Sequence, residues 1–151
     1  MRYGLAIVGL IVLAPGLAQS KGDGPAAGSA MVIEDERGFS REIGGLRACL
    51  VYRGRLPDNT PYFRYTLHKG DKFSWVLKAT EPVRVRYYDA VGSPLGPVEH
   101  KTLFVREGFT AGEDSSFSFP LFLSPPPKAV YVTVQLGVTD LITEKIGIPR
   151  R

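Results

Sequence analysis

Arg84, Arg86 and Tyr88 follow one another at a spacing of two, and Val83, Val85 and Tyr87 fill the gaps. In an extended chain alternate side chains point to opposite faces, so the three polar residues share one face. Guanidinium groups in a row do anion chemistry: each presents a rigid fork of donors that fits a carboxylate, sulfate or phosphate. Arg64 and His68 share a face of another apolar-alternating segment, and Lys72 and Lys78 share a face of a third. If these segments are neighbours, the result is a cationic field with an aromatic edge. Arg64, Arg84, Arg86 and Tyr88 are therefore the expected ligand-binding set. Its partner would be an anionic envelope polymer, a lipid head group or an acidic protein. The ordinary alternative is a solvated sheet face, where Lys and Arg also discourage edge-to-edge association.

The other reactive residue types give weaker signals. Cys49 is the single cysteine, and its strand mates Arg47 and Arg53 fall on the same side. Nearby cations lower a thiol pKa, so Cys49 is a candidate reactive thiol, set against an inert buried residue. His68 and His100 have Asp71 and Glu99 nearby in sequence, but no ligand spacing for a metal. The acidic groups Glu34-Asp35-Glu36 and Glu113-Asp114 follow no calcium-loop pattern. There is no Gly-x-Ser-x-Gly elbow and no His-Glu-x-x-His pair. No catalytic residue, metal or cofactor is expected, and a hydrolase or redox protein is the remotest reading.

Several elements must position these residues. From Leu46 the sequence alternates with period two, the mark of half-buried strands. Leu46, Ala48, Leu50 and Tyr52 form one face. Gly54, Pro57, Asp58, Asn59 and Pro61 are a dense turn signal. Phe63, Tyr65 and Leu67 alternate next, and after Lys69-Gly70-Asp71 so do Phe73, Trp75, Leu77 and Ala79. This pair is predicted as a hairpin with an aromatic face. Glu81-Pro82 is predicted as a break before the Val83–Tyr88 strand, and Asp89–Pro97 as a loop. Val98–Arg106 is a strand of poor alternation, and Glu107–Ser115 a polar connection. Phe117, Phe119, Leu121 and Leu123 alternate in a run broken by Pro120, which marks an edge strand or a bulge. Val130 to Val138 is the cleanest strand, followed by a last strand from Leu141 to Ile148.

No sustained helical period appears after the N-terminus, and Pro and Gly punctuate the chain throughout. Short strands with regular turns predict an all-β fold, an antiparallel immunoglobulin-like β-sandwich, with a small β-barrel or jelly roll as the alternative. The immunoglobulin cysteine pair is absent. The Gly70-Asp71-Lys72-Phe73 and Tyr88-Asp89-Ala90-Val91-Gly92 segments resemble a layout common in bacterial exported sandwiches, in which Gly and Asp shape the turns around a strand.

Arg2 is followed by an unbroken apolar run, Leu5–Ala14, then Pro15-Gly16 and small residues. This is the three-part pattern of a cleavable signal peptide, expected over 1–20, and the run is short for a membrane span. A flexible linker is expected over 21–45, with a short edge strand at Met31–Ile33 and a loop at Glu34–Gly45. The β-sandwich domain is expected over 46–151. The chain carries 19 Lys+Arg against 15 Asp+Glu, so it is mildly basic. With one cysteine it has no internal disulfide, and its stability rests on its core. Together these features predict an exported, periplasmic or extracellular, non-enzymatic binding module with no transmembrane segment after cleavage and no nucleic-acid partner. The alternative is a structural subunit that docks through an open edge strand.

Overall fold

Alternating strands bury one face each, and eight of them do so here in two layers. The structure is a computed structural model and describes residues 36–150. The strands are β1 (Arg37–Phe39), β2 (Leu46–Arg55), β3 (Pro61–Lys69), β4 (Thr80–Tyr88), β5 (Pro94–Phe104), β6 (Ser116–Phe122), β7 (Tyr131–Leu136) and β8 (Ile146–Gly147). One helical turn, α1 (Glu107–Thr110), lies between β5 and β6. The strands form two antiparallel sheets, ordered β1-β2-β3-β6 and β5-β4-β7-β8. Neither sheet closes on itself, so the barrel alternative is set aside in favour of a sandwich-like arrangement.

The predicted faces supply the core. Leu46, Ala48 and Leu50 from β2 meet Phe63, Tyr65 and Leu67 from β3. Val83, Val85 and Tyr87 from β4 meet Val132, Val134 and Leu136 from β7, and all belong to one buried cluster. Each buried valine, leucine or phenylalanine among them contributes roughly 1.5–3 kcal/mol. Tyr65 is the largest of them, is 0% exposed, and its hydroxyl has no hydrogen-bond partner among the described residues. Burial pushes its phenol pKa up. An unsatisfied buried hydroxyl costs about 1–3 kcal/mol, so Tyr65→Phe is expected to stabilise the fold by about 1 kcal/mol. Urea denaturation checks this, and a clear loss of stability would overturn it.

Several boundaries differ from expectation. The predicted hairpin between Phe63–Leu67 and Phe73–Ala79 does not form. Both edges of β3 are taken, by β2 and β6, so 72–79 has no strand to join. It crosses instead from one sheet to the other. Phe73, Trp75 and Leu77 still lie half-buried against the core, and the Trp75 indole donates to the Ile43 carbonyl at 2.5 Å.

The loop expected over Glu34–Gly45 contains β1, and Ile43 bridges Leu46 around Gly44-Gly45. Both glycines have positive φ, 58° and 74°, the backbone of a two-residue hairpin turn. A Cβ on Gly45 would lie 2.5 Å from the Lys72 backbone, so the turn also needs glycine for space. Glu81-Pro82 is not a break: both lie near the start of β4, where a missing N–H is tolerated. The 89–97 loop shortens to 89–93, closed by the Asp89 carboxylate, which accepts from the N–H groups of Val91 (3.0 Å) and Ser93 (2.9 Å). β7 ends at Leu136, leaving Val138 85% exposed, and the last strand shrinks to the two residues of β8. β6 lies at a sheet edge, as Pro120 implied. The signal peptide expected over 1–20, the strand expected at Met31–Ile33, and Glu34 and Asp35 lie outside the described residues.

Candidate anion-binding face

The two sheets divide the expected binding set. Arg64 projects from β3 on the outer face of the first sheet, while Arg84, Arg86 and Tyr88 project from β4 on the outer face of the second. The condition that joined them, neighbouring strands, does not hold.

On the second sheet Tyr88 is engaged by its neighbours, while the buried Arg84 Nε has no hydrogen-bond partner among the described residues. Arg84 stands between His100 on β5 and Gln135 on β7. The Tyr88 hydroxyl lies 3.2 Å from that of Thr133, and the Lys145 ammonium sits 4.3 Å above its ring. The carboxylates of this sheet's strands, Glu81 and Glu99, fall on the other side of the sheet, because they stand opposite the buried Leu103 and Val85. Glu99 accepts hydrogen bonds from the Tyr87 hydroxyl and the Ser124 N–H, and pairs with Lys101 at 2.9 Å. Burial would raise its pKa, but these bonds and the Lys101 charge outweigh it and hold the carboxylate below its usual value.

The first sheet is different. Its four strands contain Arg37, Arg47, Arg53, Arg55, Arg64, His68 and Lys69, and no aspartate or glutamate at all. Arg55 and Lys69 are used internally. Arg55 donates to the carbonyls of Asn59 (2.7 Å) and Pro149 (2.6 Å), and Lys69 donates to that of Phe109. The register puts the rest on the outer face. Arg37 and Arg64 both stand opposite Val51, one on each side of β2. Their Cα atoms are thus about 10 Å apart, two strand spacings. Arg47 stands opposite His68, four residues further along β2. Arg53 lies beyond Val51 in the other direction. Between these cations runs a row of smaller groups, Cys49, Thr66 and Ser118, paired across β2, β3 and β6. These three, with Arg37, Arg64 and His68, line a depression of about 340 Å³. Among the described residues the ion pairs are Lys101–Glu99 and Arg106–Asp114, so no arginine of this face takes part in one.

Cys49 forms part of the floor and is 4% exposed. Burial pushes its thiol pKa up, against the opposing charges of Arg37, Arg64 and Arg47. The neighbours that act on it therefore come from three strands, and only Arg47 was visible as a strand mate. A protonated, covered thiol is a weak nucleophile.

His68 has its pKa lowered, first by burial and second by the Arg47 charge. On the β6 side its partner is the uncharged Ser116. The unfolded chain therefore takes up this proton at a higher pH than the folded chain. Stability then rises with pH in that window and falls as pH drops below 6.5, the ordinary histidine value. Comparing denaturation midpoints at about pH 7.5 and about pH 5.5 should show the loss, and His68→Gln should reduce it. An anion bound beside His68 should reverse the trend by stabilising the imidazolium. A pH response unchanged by His68→Gln would sink this assignment.

His68 and His100 stand on different sheets, and no three of His, Cys, Asp and Glu come together among the described residues. Glu36 accepts from the Gly147 N–H at 3.1 Å, and Asp114 is held by Arg106 at 3.1 Å. No described helix is long and apolar enough to cross a membrane. No protein-family model, curated protein or solved structure matches the chain.

Proposed function

We propose that this chain is an exported, non-enzymatic binding module that holds an anionic partner on the outer face of its β1-β2-β3-β6 sheet. One observation carries the reading: the outer face of that sheet gathers Arg37, Arg47, Arg53, Arg64 and His68 from three strands whose sequences hold no carboxylate, whereas the arginines on the outer face of the other, Arg84 and Arg86, come from a single strand. Like charges in a row cost stability through mutual repulsion, and a bound anion relieves that cost. Export rests on the N-terminal pattern of one charge, an apolar run and small residues.

An immunoglobulin-like topology is part of the proposal. β3 neighbours β6, and β4 neighbours β7, which neighbours β8. These adjacencies correspond to the B–E and C–F–G neighbours of immunoglobulin sandwiches, with β2 in the place of A.

The test is capture of partners from the native envelope fraction on the tagged mature protein, washed at low salt and then at about 0.5 M salt. Release by salt is the expected result. Retention at high salt would favour a second reading, docking by strand addition. β5 is eleven residues long at a sheet edge, and Phe104 at its end is 66% exposed. Backbone pairing along such an edge is largely indifferent to salt.

A further inference from the structure

The arginine face changes character along its length. Between Arg64 and His68 its floor is polar, with the Thr66 and Ser118 hydroxyls 3.0 Å apart, and at the Arg47 end the Phe39 ring lies under that guanidinium. Beyond Arg64 the floor becomes apolar. Tyr62 on β3 pairs with Phe122 on β6, their ring centroids 5.9 Å apart and their planes inclined by 38°. Phe122 is 44% exposed, although the residues on either side of it, Leu121 and Leu123, are each 1% exposed. Arg53, Tyr62, Arg64 and Pro120 line one depression of about 190 Å³ there. The cations extend from Arg47 to Arg53, six residues of β2, or about 20 Å at the rise of a strand.

From this arrangement, and resting on the binding-face reading above, we infer that the face is a track for an acidic polysaccharide. One sugar ring lies on the Tyr62–Phe122 plate with its acid group on Arg53 or Arg64, and the chain runs on toward Arg47 and His68. A uronate or sulfated pyranose has the required pair of features. The axial C–H groups make one side of the ring apolar, which suits an aromatic plate, and the acid suits a guanidinium fork. A lipid head group uses the cations but has no ring for the plate. An acidic peptide has no flat face. A nucleic-acid strand stacks successive bases on successive aromatic groups, whereas here the Phe39 ring lies at the other end of the face and is already covered by the Arg47 guanidinium, 5.0 Å from its centroid. The length of the track means that one sugar engages only part of it, so affinity grows with each residue that reaches a further arginine.

The experiment is isothermal titration of the mature protein, at low salt, with galacturonate and its oligomers up to the octamer. Polyglutamate, phosphatidylglycerol vesicles and single-stranded DNA serve as comparison probes. The octamer is expected to bind at least about 100-fold more tightly than the monomer. Phe122→Ser and, separately, Tyr62→Ser should each weaken octamer binding about 10-fold and leave polyglutamate binding unchanged. Thermal unfolding of both variants establishes that the fold persists. Octamer binding indifferent to both variants overturns the inference. So does equal or tighter binding of vesicles, polyglutamate or DNA. If those probes bind and Arg64→Ser abolishes their binding, the anion-binding face stands and the polysaccharide falls. If no anionic probe binds, both fall.

Discussion

Replacing Arg37 and Arg64 together by serine is expected to lower affinity for an acidic ligand by at least about 100-fold, while changing stability by no more than about 0.5 kcal/mol. The first half follows from position. The two side chains flank Val51 from either side and border the row of Cys49, Thr66 and Ser118. A hydrogen bond to a charged group contributes about 1.5–3 kcal/mol, so losing two of them exceeds the stated factor if they act independently. The second half follows from what they do not touch. Neither takes part in an ion pair among the described residues, and neither belongs to the core.

The control is Arg84→Ser with Arg86→Ser, which makes the same change in net charge on the other sheet. Affinity should remain within about three-fold, because screening at physiological salt limits exposed charges to about 8 Å. The slope of log affinity against log salt should fall in proportion to the two lost contacts for the first pair, and not for the second. Equal loss from both pairs would mean that net charge, not placement, drives binding, and the face would lose its claim. Loss from the Arg84 pair alone would move the site to the second sheet.

That the expected set split between sheets has a physical cause. Which face a residue occupies is a local property, set by the period of the chain. Leu46, Ala48 and Leu50, like Val83, Val85 and Tyr87, turned inward as their alternation implied. Which strands are neighbours is a long-range property. Nothing local to Arg64 or Arg84 records that β6 returns to cover the second edge of β3 and forces the chain to cross to the other layer. A usable signal was nevertheless present. No carboxylate occurs from 43 to 57, from 59 to 70, or from 115 to 139, and these stretches contain β2, β3, β6 and β7. Arginine and histidine without acids in two segments that share a turn, 46–55 and 61–69, indicated one cationic hairpin. Gly44-Gly45 was equally legible as a hairpin turn and would have placed a strand before it. The outward position of Phe122 was legible as well, since it is out of phase with Phe117, Phe119, Leu121 and Leu123; its pairing with Tyr62 was not, because that depends on β6 returning to β3.

Phe109→Ala is expected to be the most damaging single truncation considered, costing about 3–5 kcal/mol. Phe109 sits in the one helical turn, inside a segment that reads as polar: Glu107, Gly108, Thr110, Gly112, Glu113 and Asp114 surround it. Periodicity cannot reveal a lone apolar residue, since a pattern needs neighbours. In the fold α1 lies where the chain leaves β5 in one sheet for β6 in the other, and Phe109 there is 0% exposed. Its ring lies 6.0 Å from Phe117 and 6.5 Å from Phe73, and the Lys69 ammonium sits 4.4 Å from its centroid. Removing the ring therefore opens a cavity between a strand, a crossover and a cation, none of which can collapse inward without breaking its own contacts. Phe104→Ala gives the contrast: the same truncation, five residues earlier and 66% exposed, should cost no more than about 0.5 kcal/mol. Urea denaturation of the two variants decides the matter. A cost below about 1 kcal/mol for Phe109→Ala would show that α1 is a detachable loop, in which case the crossover region does not hold Lys69 and the His68 end of the arginine face in place.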